Sequence, residues 1–381
     1  MRYSKRELEN LPTPEEIVVE DLASYIKLFS DGKFTNNYFR GEPTNYHNTI
    51  SSALREVASN VGFNAKIEPQ KEVSFLNMKK EFKREVWYKL SSDERMHFSA
   101  FSQHHGIPTN LIDITSSPLV ALYFACQNYK NTLDGDDQFD EKKGFVYSFE
   151  DKFVDITDIL TKFEDENILE VFAYDKNDIF MDMYNLFLKF ELKHPFTFYK
   201  HFKQLIQEYH EFFSGSHEHI FPENIEPYND GEYKTKTWGY ASNIIQSDPK
   251  LKRSYQQIEP VSSAVFSYTA YLQLFLRNTL DLTATIWWFN LIMPNFKYAP
   301  ILTFERGRNQ QGLFIYQTYL NYIEETYSTP VAALQRVWPN KIIVINNKEK
   351  ILKELDFIGI NEKFIYGDYD NIASYIKRKF Q

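Results

Sequence analysis

The sequence contains a single cysteine, Cys126, among its 381 residues. One thiol cannot close an internal disulfide or build a multi-cysteine zinc site, which excludes both from this chain. So few thiols fit a reducing compartment, and we expect a cytoplasmic protein. Glycine is also scarce, with 13 residues, so there is little material for a glycine-rich phosphate-binding loop.

Excess basic charge and long apolar runs are missing as well. The formal net charge of −9 does not favour non-specific nucleic-acid binding, because such binding requires basic surface. The first residues, MRYSKRELENLPTPEE, lack the apolar core of a signal peptide. The most hydrophobic window, 282–293, is far shorter than the ~20 residues of a membrane span. We interpret it as a buried helix and expect no membrane partner.

Aromatic residues are plentiful, and 33 Phe and 26 Tyr predict a large, well-filled core. Hydrophobic periodicity indicates helices over 21–29, 71–90, 93–105, 118–128, 262–278, 348–360 and 371–380. Strand patterns cover 37–42, 110–115, 144–150, 299–305, 312–318 and 341–346. Irregular segments are predicted over 134–144 and 214–250.

This pattern predicts an α+β fold with a mixed, mainly antiparallel sheet, flanking helices and a large helical insertion. We divide the chain into three parts. Residues 1–150 hold the motifs described below, and residues 151–255 form an aromatic-rich helical insertion. Residues 256–381 supply helices and strands that pack back onto the first part.

The stretch Thr115-Ser116-Ser117-Pro118 precedes an almost wholly apolar segment. Serine is a preferred N-cap and proline is favoured at the first helical position, so a buried helix is predicted to begin at Pro118. Its free N–H groups and positive dipole end favour an anion such as a ligand phosphate. Simple capping by the hydroxyl groups remains the alternative.

Asp113 lies inside the apolar strand pattern, where a buried carboxylate needs a partner. Arg40 is one candidate, and His104 or His105 is a nearer one. The arrangement is typical of an active-site carboxylate, and equally of a structural ion pair.

Arg40 comes directly before Gly41 and Glu42 at the end of a predicted strand. An arginine in this position is suited to bidentate contact with phosphate, and a glycine lets a ligand approach the backbone. A salt bridge from Arg40 to Glu42 is the simpler alternative.

Two histidine groups suggest other chemistry. His104 and His105 are candidates for an acid or base near neutral pH, although adjacent helical residues point in different directions. His217 and His219 flank Glu218 but have no third ligand at a suggestive spacing. We therefore expect no metal.

The segment from Glu305 to Gly312 is predicted to connect two strands as a tight hairpin. It includes Arg308 and Gln311. These side chains are either charged edges of the hairpin or a second wall of the same site.

The chain resembles the FRG-domain family, which is named for a Phe-Arg-Gly motif. Here the motif is Phe39-Arg40-Gly41. The second family signature runs through Gln103, His104, Gly106, Pro108, Thr109, Leu111, Asp113, Thr115, Ser117, Pro118, Ala121, Leu122, Phe124 and Ala125. The likeness covers roughly residues 20–150, with its motif core at 37–125. Asn110 stands where the family commonly has Arg, and Ile114 where it commonly has Trp; the first change removes a charge near the expected site.

A further likeness is to ADP-ribosyltransferases, which use an Arg or His on one strand, a Ser-Thr-Ser-type strand end before an apolar helix, and a later Glu. Arg40 and then Thr115-Ser116 are similar in order and context, and Glu305 or Gln311 would be the third element. This likeness implies NAD as the cofactor. Its nucleotide would be held by Arg40, Gly41, Thr115, Ser116, Ser117 and Arg308.

Three functions remain open. The first is an ADP-ribosyltransferase-like effector or phage-defence protein of bacterial type, which binds a nucleotide-like molecule and modifies a protein or nucleic acid. The second is a phosphoester hydrolase or nuclease in which His104 and Asp113 act as acid and base. The third is a non-catalytic module that senses a ligand or contacts a partner protein.

Overall fold

The computed structural model describes residues 13–46, 49–55, 75–129, 142–215, 239, 242–243, 245–246, 248–258, 261–280, 289–320 and 333–381. Several predicted features lie outside these residues: the acidic loop as far as residue 141, most of the irregular segment 214–250 with His217 and His219, and residues 282–288 of the apolar window.

The described residues contain ten strands. They are β1 (Glu15–Val19), β2 (Asn37–Glu42), β3 (Leu111–Thr115), β4 (Gly144–Glu150), β5 (Phe153–Asp155), β6 (Asn295–Tyr298), β7 (Gly312–Tyr316), β8 (Tyr319–Leu320), β9 (Ala333–Leu334) and β10 (Lys341–Ile345).

Eight of these strands form one sheet in the order β1-β10-β4-β2-β3-β7-β6-β5, and β8 pairs with β9. The β1–β10 and β5–β6 pairs are parallel and the other pairs of the sheet are antiparallel. The predicted mixed, mainly antiparallel sheet is therefore confirmed. Strands from distant parts of the chain are neighbours in it: β10 lies between β1 and β4, and β7 lies beside β3.

The described residues also contain sixteen α-helices. They are α1 (Leu22–Lys27), α2 (Phe75–Val86), α3 (Ser92–Met96), α4 (Phe98–His104), α5 (Pro118–Ala125), α6 (Thr157–Phe163), α7 (Ile168–Ala173), α8 (Ile179–Lys193), α9 (Pro195–Ser214), α10 (Pro249–Ile258), α11 (Ser263–Thr279), α12 (Phe289–Ile292), α13 (Glu305–Asn309), α14 (Lys348–Phe357), α15 (Glu362–Tyr366) and α16 (Tyr369–Lys379).

The sheet has two faces that are set by strand alternation. The side chains of Phe39 and Thr115 are opposite each other on β2 and β3, so they share a face. Helices α1, α5 and α14 pack on this helix-covered face at one end of the sheet. The aromatic-rich helices α6 to α9 and α11 pack on the same face at the other end, against β3, β6 and β7.

The opposite face carries a separate core. It is built from residues that β3, β4, β7 and β10 turn away from the helix-covered face, among them Ile112, Ile114, Tyr147 and Ile342. Arg40 pairs in register with Tyr147, so its side chain belongs to this opposite face.

Two predicted elements are wrong in detail. The predicted strand 299–305 is an irregular segment that leads into α13, and the strand of this region is β6, which ends at Tyr298. The predicted helix 93–105 is two helices, α3 and α4, which meet at His97. Among the residues that the structure describes, no helix has the length and apolar character needed to cross a membrane.

Candidate functional site

Arg40 lies on β2, near the middle of the sheet. Its Nε donates a hydrogen bond to Glu42 Oε1 at 2.8 Å, and its Nη1 donates to the backbone oxygen of Asp113 at 2.8 Å. The second bond crosses from β2 to β3, where the two strands share only the registered pair of Phe39 and Thr115. Glu42 and Asp113 thus fix the plane of the guanidinium.

Glu42 is the buried partner in this arrangement. It lies two residues beyond Arg40 on the same strand, so both side chains are on the opposite face, and Glu42 is only 3% exposed. The salt bridge that the sequence offers as the simpler alternative is therefore present. Because the carboxylate is buried, the charge of Arg40 beside it is stabilising.

Asp113 is exposed, so the prediction of a buried carboxylate is wrong. It shares the helix-covered face with Thr115, whereas Arg40 is on the opposite face. Arg40 therefore reaches Asp113 at its backbone oxygen rather than at its carboxylate. The carboxylate Oδ1 instead accepts a hydrogen bond from Gln103 Nε2 at 3.0 Å, and the Gln103 side-chain oxygen accepts from the Thr109 hydroxyl.

His104 ends α4 next to Gln103. Its ring stacks on Phe304 with 4.0 Å between ring centroids and 19° between planes. Burial, with smaller contributions from His105 and Arg306, lowers the pKa of His104 to about 4. The imidazole is therefore neutral at pH 7. His105 points elsewhere, with its ring 4.4 Å from that of Phe101, and burial lowers its pKa as well.

Thr115 and Ser117 satisfy backbone groups around the start of α5. Thr115 Oγ1 donates to the backbone oxygen of Gln310 at 2.6 Å and accepts from the Ser117 N–H at 2.9 Å. Ser117 Oγ accepts from the Val120 N–H at 3.4 Å, and Pro118 is the first helical residue. The predicted helix start is confirmed, and capping accounts for both hydroxyl groups.

Ser116 is bonded to Gln311 through both backbone and side chain. Its N–H donates to the Gln311 backbone oxygen at 3.3 Å, which extends the β3–β7 ladder, and its Oγ donates to Gln311 Oε1 at 3.1 Å. Both residues are exposed. Gln311 has φ = 47°, a left-handed conformation that costs a residue with a side chain of order 1–3 kcal/mol and often marks functional positions.

The segment between Glu305 and Gly312 is the helix α13 and not the predicted hairpin. Helix α13 is held against α15, because the side-chain amides of Asn309 and Gln310 donate to the backbone oxygens of Phe364 and Ile365. Arg308 donates through Nε to the backbone oxygen of Leu302 at 3.0 Å.

Glu305 and Gln311 are the two alternatives that the sequence offers for the third element of the site. Glu305 begins α13, and a Cβ built on Gly367 would lie 2.9 Å from its side chain. Glu305 therefore lies beside the residue that follows α15. Of the two, Gln311 is the one that contacts Ser116.

Gly41 has a packing role rather than the expected role of admitting a ligand. A Cβ at this position would lie 1.8 Å from the backbone oxygen of Ala121, so α5 occupies the space beside it. The two departures from the family pattern are also in the core: Asn110 donates to the backbone oxygen of Gln317 at 3.1 Å, and Ile114 is buried. Asn110 is therefore a buried, hydrogen-bonded residue of the core in this chain.

The predicted residues thus fall into two groups separated by the sheet. Arg40 lies on the opposite face, and Ser116 and Gln311 continue that face beyond the end of β3. Asp113 and Thr115 lie on the helix-covered face, where α4 contributes Gln103 next to His104. The sequence alone does not identify Glu42 and Gln103 as site residues. The two-residue spacing of Arg40 and Glu42 was an available signal, whereas nothing local indicates that Gln103 turns towards Asp113.

Among the described residues, no group of three or more His, Cys, Asp or Glu side chains could hold a metal ion. Residues 35–133 match the family model described as the FRG domain. No curated protein and no solved structure gives a significant match. The matched residues include Arg40 and the strand and helix around Ser116, so the chain carries an FRG domain that contains most of the site.

Proposed function

On the premise that the chain carries an FRG domain, we propose that it binds an anionic nucleotide at the site of Arg40, Ser116 and Gln311. We propose NAD as the ligand and an ADP-ribosyltransferase-like reaction as the function. The observation that carries this proposal is the Ser116–Gln311 hydrogen bond, which joins the end of β3 to the start of β7, next to the strand of Arg40.

The spacing of these residues suits an extended ligand. The registered pair of Phe39 and Thr115, continued by one residue, places Arg40 opposite Ile114. Ser116 lies two residues beyond Ile114, directly after the end of β3. With a rise of ~3.3 Å per residue and ~4.8 Å between strands, the Cα atoms of Arg40 and Ser116 are ~8 Å apart. The hydrogen bonds of the Arg40 guanidinium lead towards Glu42 and Asp113, away from Ser116, so a single ligand that contacts both Arg40 and Ser116 must be extended, as NAD is.

Each residue would have a distinct role. The guanidinium of Arg40, oriented by Glu42, would hydrogen-bond phosphate oxygens. The Gln311 amide would hydrogen-bond a hydroxyl group of the nicotinamide ribose, with Ser116 holding the amide in place. A neutral amide stabilises a positively charged, oxocarbenium-like state less than a carboxylate does, so we expect the glycosidic bond to break slowly in this chain.

The binding test is isothermal calorimetry with NAD and with ADP-ribose. Arg40→Ala is a poor variant, because removing one partner of a buried pair costs about 3–5 kcal/mol. Arg40→Lys keeps the charge beside Glu42 but loses the planar fork, and we expect it to weaken binding about tenfold or more. Lys152→Ala, which removes an exposed lysine that pairs with Glu150, is the control. Undetectable NAD binding by the wild-type chain would refute the proposal.

The catalytic test is nicotinamide release from NAD by wild-type chain and by Gln311→Glu. The Ser116 hydroxyl can donate to a carboxylate as it does to the amide, so the substitution preserves the local contact. We expect at least about a tenfold faster release, because a carboxylate stabilises the developing charge. A loss of activity, or no release by either protein, would contradict the transferase part and leave nucleotide binding as the function.

A phosphoester hydrolase is the second candidate, and the contact between Gln103 and Asp113 favours it. Gln103 precedes His104 and orients the exposed carboxylate on the helix-covered face. Hydrolysis of bis(p-nitrophenyl) phosphate should then be abolished by His104→Ala and Asp113→Asn but retained by Gln311→Ala, which acts on the other face. The rate should rise with pH around pH 4, where His104 loses its proton.

A further inference from the structure

Helix α16 (Tyr369–Lys379) carries an apolar stripe that faces solvent. Tyr369 is 91% exposed, Ile376 47% and Phe380, directly after the helix, 85%. Together with the exposed Ala373 these residues recur at intervals of three or four, which places them on one side of a helix. Apolar residues arranged in this way indicate a surface that another molecule covers.

Contacts on a different side of α16 fix the direction of this stripe. The Tyr375 hydroxyl donates to Asp356 Oδ1 at 2.7 Å and accepts from Asn361 Nδ2 at 3.3 Å. Arg378 pairs with Glu362 of α15. The helix is thereby anchored to α14 and α15, and the apolar stripe points outwards.

The charges along α16 have opposite signs at its two ends. Asp368 is the N-cap and Asp370 lies in the first turn, whereas Lys377 and Lys379 lie in the last turn. Asp370 and Lys377 are seven residues apart, close to two helical turns, so they lie on the same side of the stripe. Ala373, a small residue, stands midway between them.

We propose that α16 pairs in an antiparallel manner with α16 of a second copy of this chain. A twofold axis near Ala373 would place Asp370 of each copy beside Lys377 of the other, with the two apolar stripes between them. A twofold interface requires a surface that is complementary to itself. The charges and apolar side chains of α16 form such a surface. Ala373 would let the two helix backbones approach closely.

The expected association is weak. Helix α16 has 11 residues and is about 16 Å long, so the shared area falls in the size class of transient complexes. Sedimentation velocity of the full chain from about 2 to about 200 µM should show a monomer that becomes a dimer with rising concentration. A chain that stays monomeric over this range would overturn the proposal.

Two adjacent positions give a matched pair of variants. Ile376→Glu puts a charge into the stripe and should abolish the dimer, whereas Ser374→Glu adds the same charge on an exposed position off the stripe and should leave it intact. Both proteins should keep the circular dichroism and thermal unfolding of the wild type. An equal loss of dimer in both variants would overturn the proposed orientation.

A charge exchange tests the pairing itself. Asp370→Lys and Lys377→Asp should each weaken the dimer roughly tenfold, since two symmetric ion pairs are lost. The double variant should restore it, because the pair is rebuilt with reversed sign. Asp368 is left in place because it caps the helix. A double variant that does not recover the dimer would refute the antiparallel pair. The pair would also be refuted if the chain stays monomeric and binds phosphatidylserine vesicles, and if Ile376→Glu abolishes that binding.

Discussion

Gly41 sets the distance between the central strand and the helix that follows the site. Its missing side chain lets β2 approach the backbone of α5, as Gly144 does on the neighbouring strand β4, where a Cβ would lie 2.1 Å from the Ala125 oxygen. Position 41 thus connects the Phe-Arg-Gly motif to the apolar helix of the second motif. The motif thus supplies a glycine for packing, directly after the arginine that we propose as the phosphate ligand.

We expect Gly41→Ala to destabilise the chain by several kcal/mol, since the new Cβ meets a backbone oxygen that moves only if α5 moves. Gly312→Ala is the matched control, because a Cβ on this strand glycine would meet nothing closer than 3.8 Å. Urea unfolding followed by circular dichroism measures both free energies of unfolding. Equal stability of the two variants would contradict the packing role.

Local chemistry in the sequence predicted some site residues well and others poorly. The roles of Ser117 and Pro118 follow from capping rules that involve only neighbouring residues, and the structure confirms them. The exposure of the Asp113 side chain does not follow from neighbouring residues, because it depends on which helices cover β3. The Ser116–Gln311 bond joins residues 195 positions apart, so only the strand order brings them together.

At the scale of secondary-structure elements, α2 is held in place by two lysines with different surroundings. Lys79 is buried, and its Nζ donates to Ser99 Oγ at 3.2 Å and to the backbone oxygen of Glu164. Lys83 is more exposed and contacts the carboxylates of Glu164 and Asp165, each at 2.7 Å. Burial lowers the pKa of Lys79 to about 8 from the ordinary 10.5.

We therefore expect the free energy of unfolding to rise with pH between about 8 and 10.5, the pKa of Lys79 in the folded chain and its ordinary pKa. Between pH 8 and 10.5 the folded chain has released the Lys79 proton while the unfolded chain retains it. Because the unfolded state binds more protons there, raising the pH favours the folded state, by up to about 3 kcal/mol. Denaturant unfolding at pH 7.5, 9 and 10 should show this rise in wild type and in the control Lys80→Met. Lys79→Met should lack it, and identical pH dependence in all three proteins would contradict the assignment.

The two misplaced elements have physical explanations beyond local periodicity. The sequence 93–105 has helical spacing throughout, but His97 leaves helical geometry, and its Nδ1 lies 3.0 Å from the buried Tyr298 hydroxyl. The apolar residues of 299–304 look like a strand, yet β6 has already supplied the pairing partner of β7. In both places a contact with a distant residue overrides the local pattern.

At the scale of the whole molecule, the sheet joins strands from both ends of the chain. β10 lies between β1 and β4, and β7 pairs with β3. The core of the opposite face likewise combines Ile112 and Ile114 with Leu313 and Ile342. The division into residues 1–150, 151–255 and 256–381 stays a prediction, but the matched FRG region shares its sheet and its core with strands that come after residue 300.

This interleaving predicts that residues 13–150 do not fold alone. In that fragment β3 loses its partner β7. Strands β1 and β4 both lose β10, which lies between them in the described structure. Half of the opposite-face core goes with them, and a small domain has little stability to spare. We expect the purified fragment to lack a cooperative thermal transition and dispersed amide resonances, whereas the full chain shows both.

Adding residues 289–381 as a separate polypeptide restores the missing strands and should recover part of the structure. A fragment 13–150 that unfolds cooperatively by itself would show that β2, β3 and β4 suffice, and that the later strands are additions to an already stable domain.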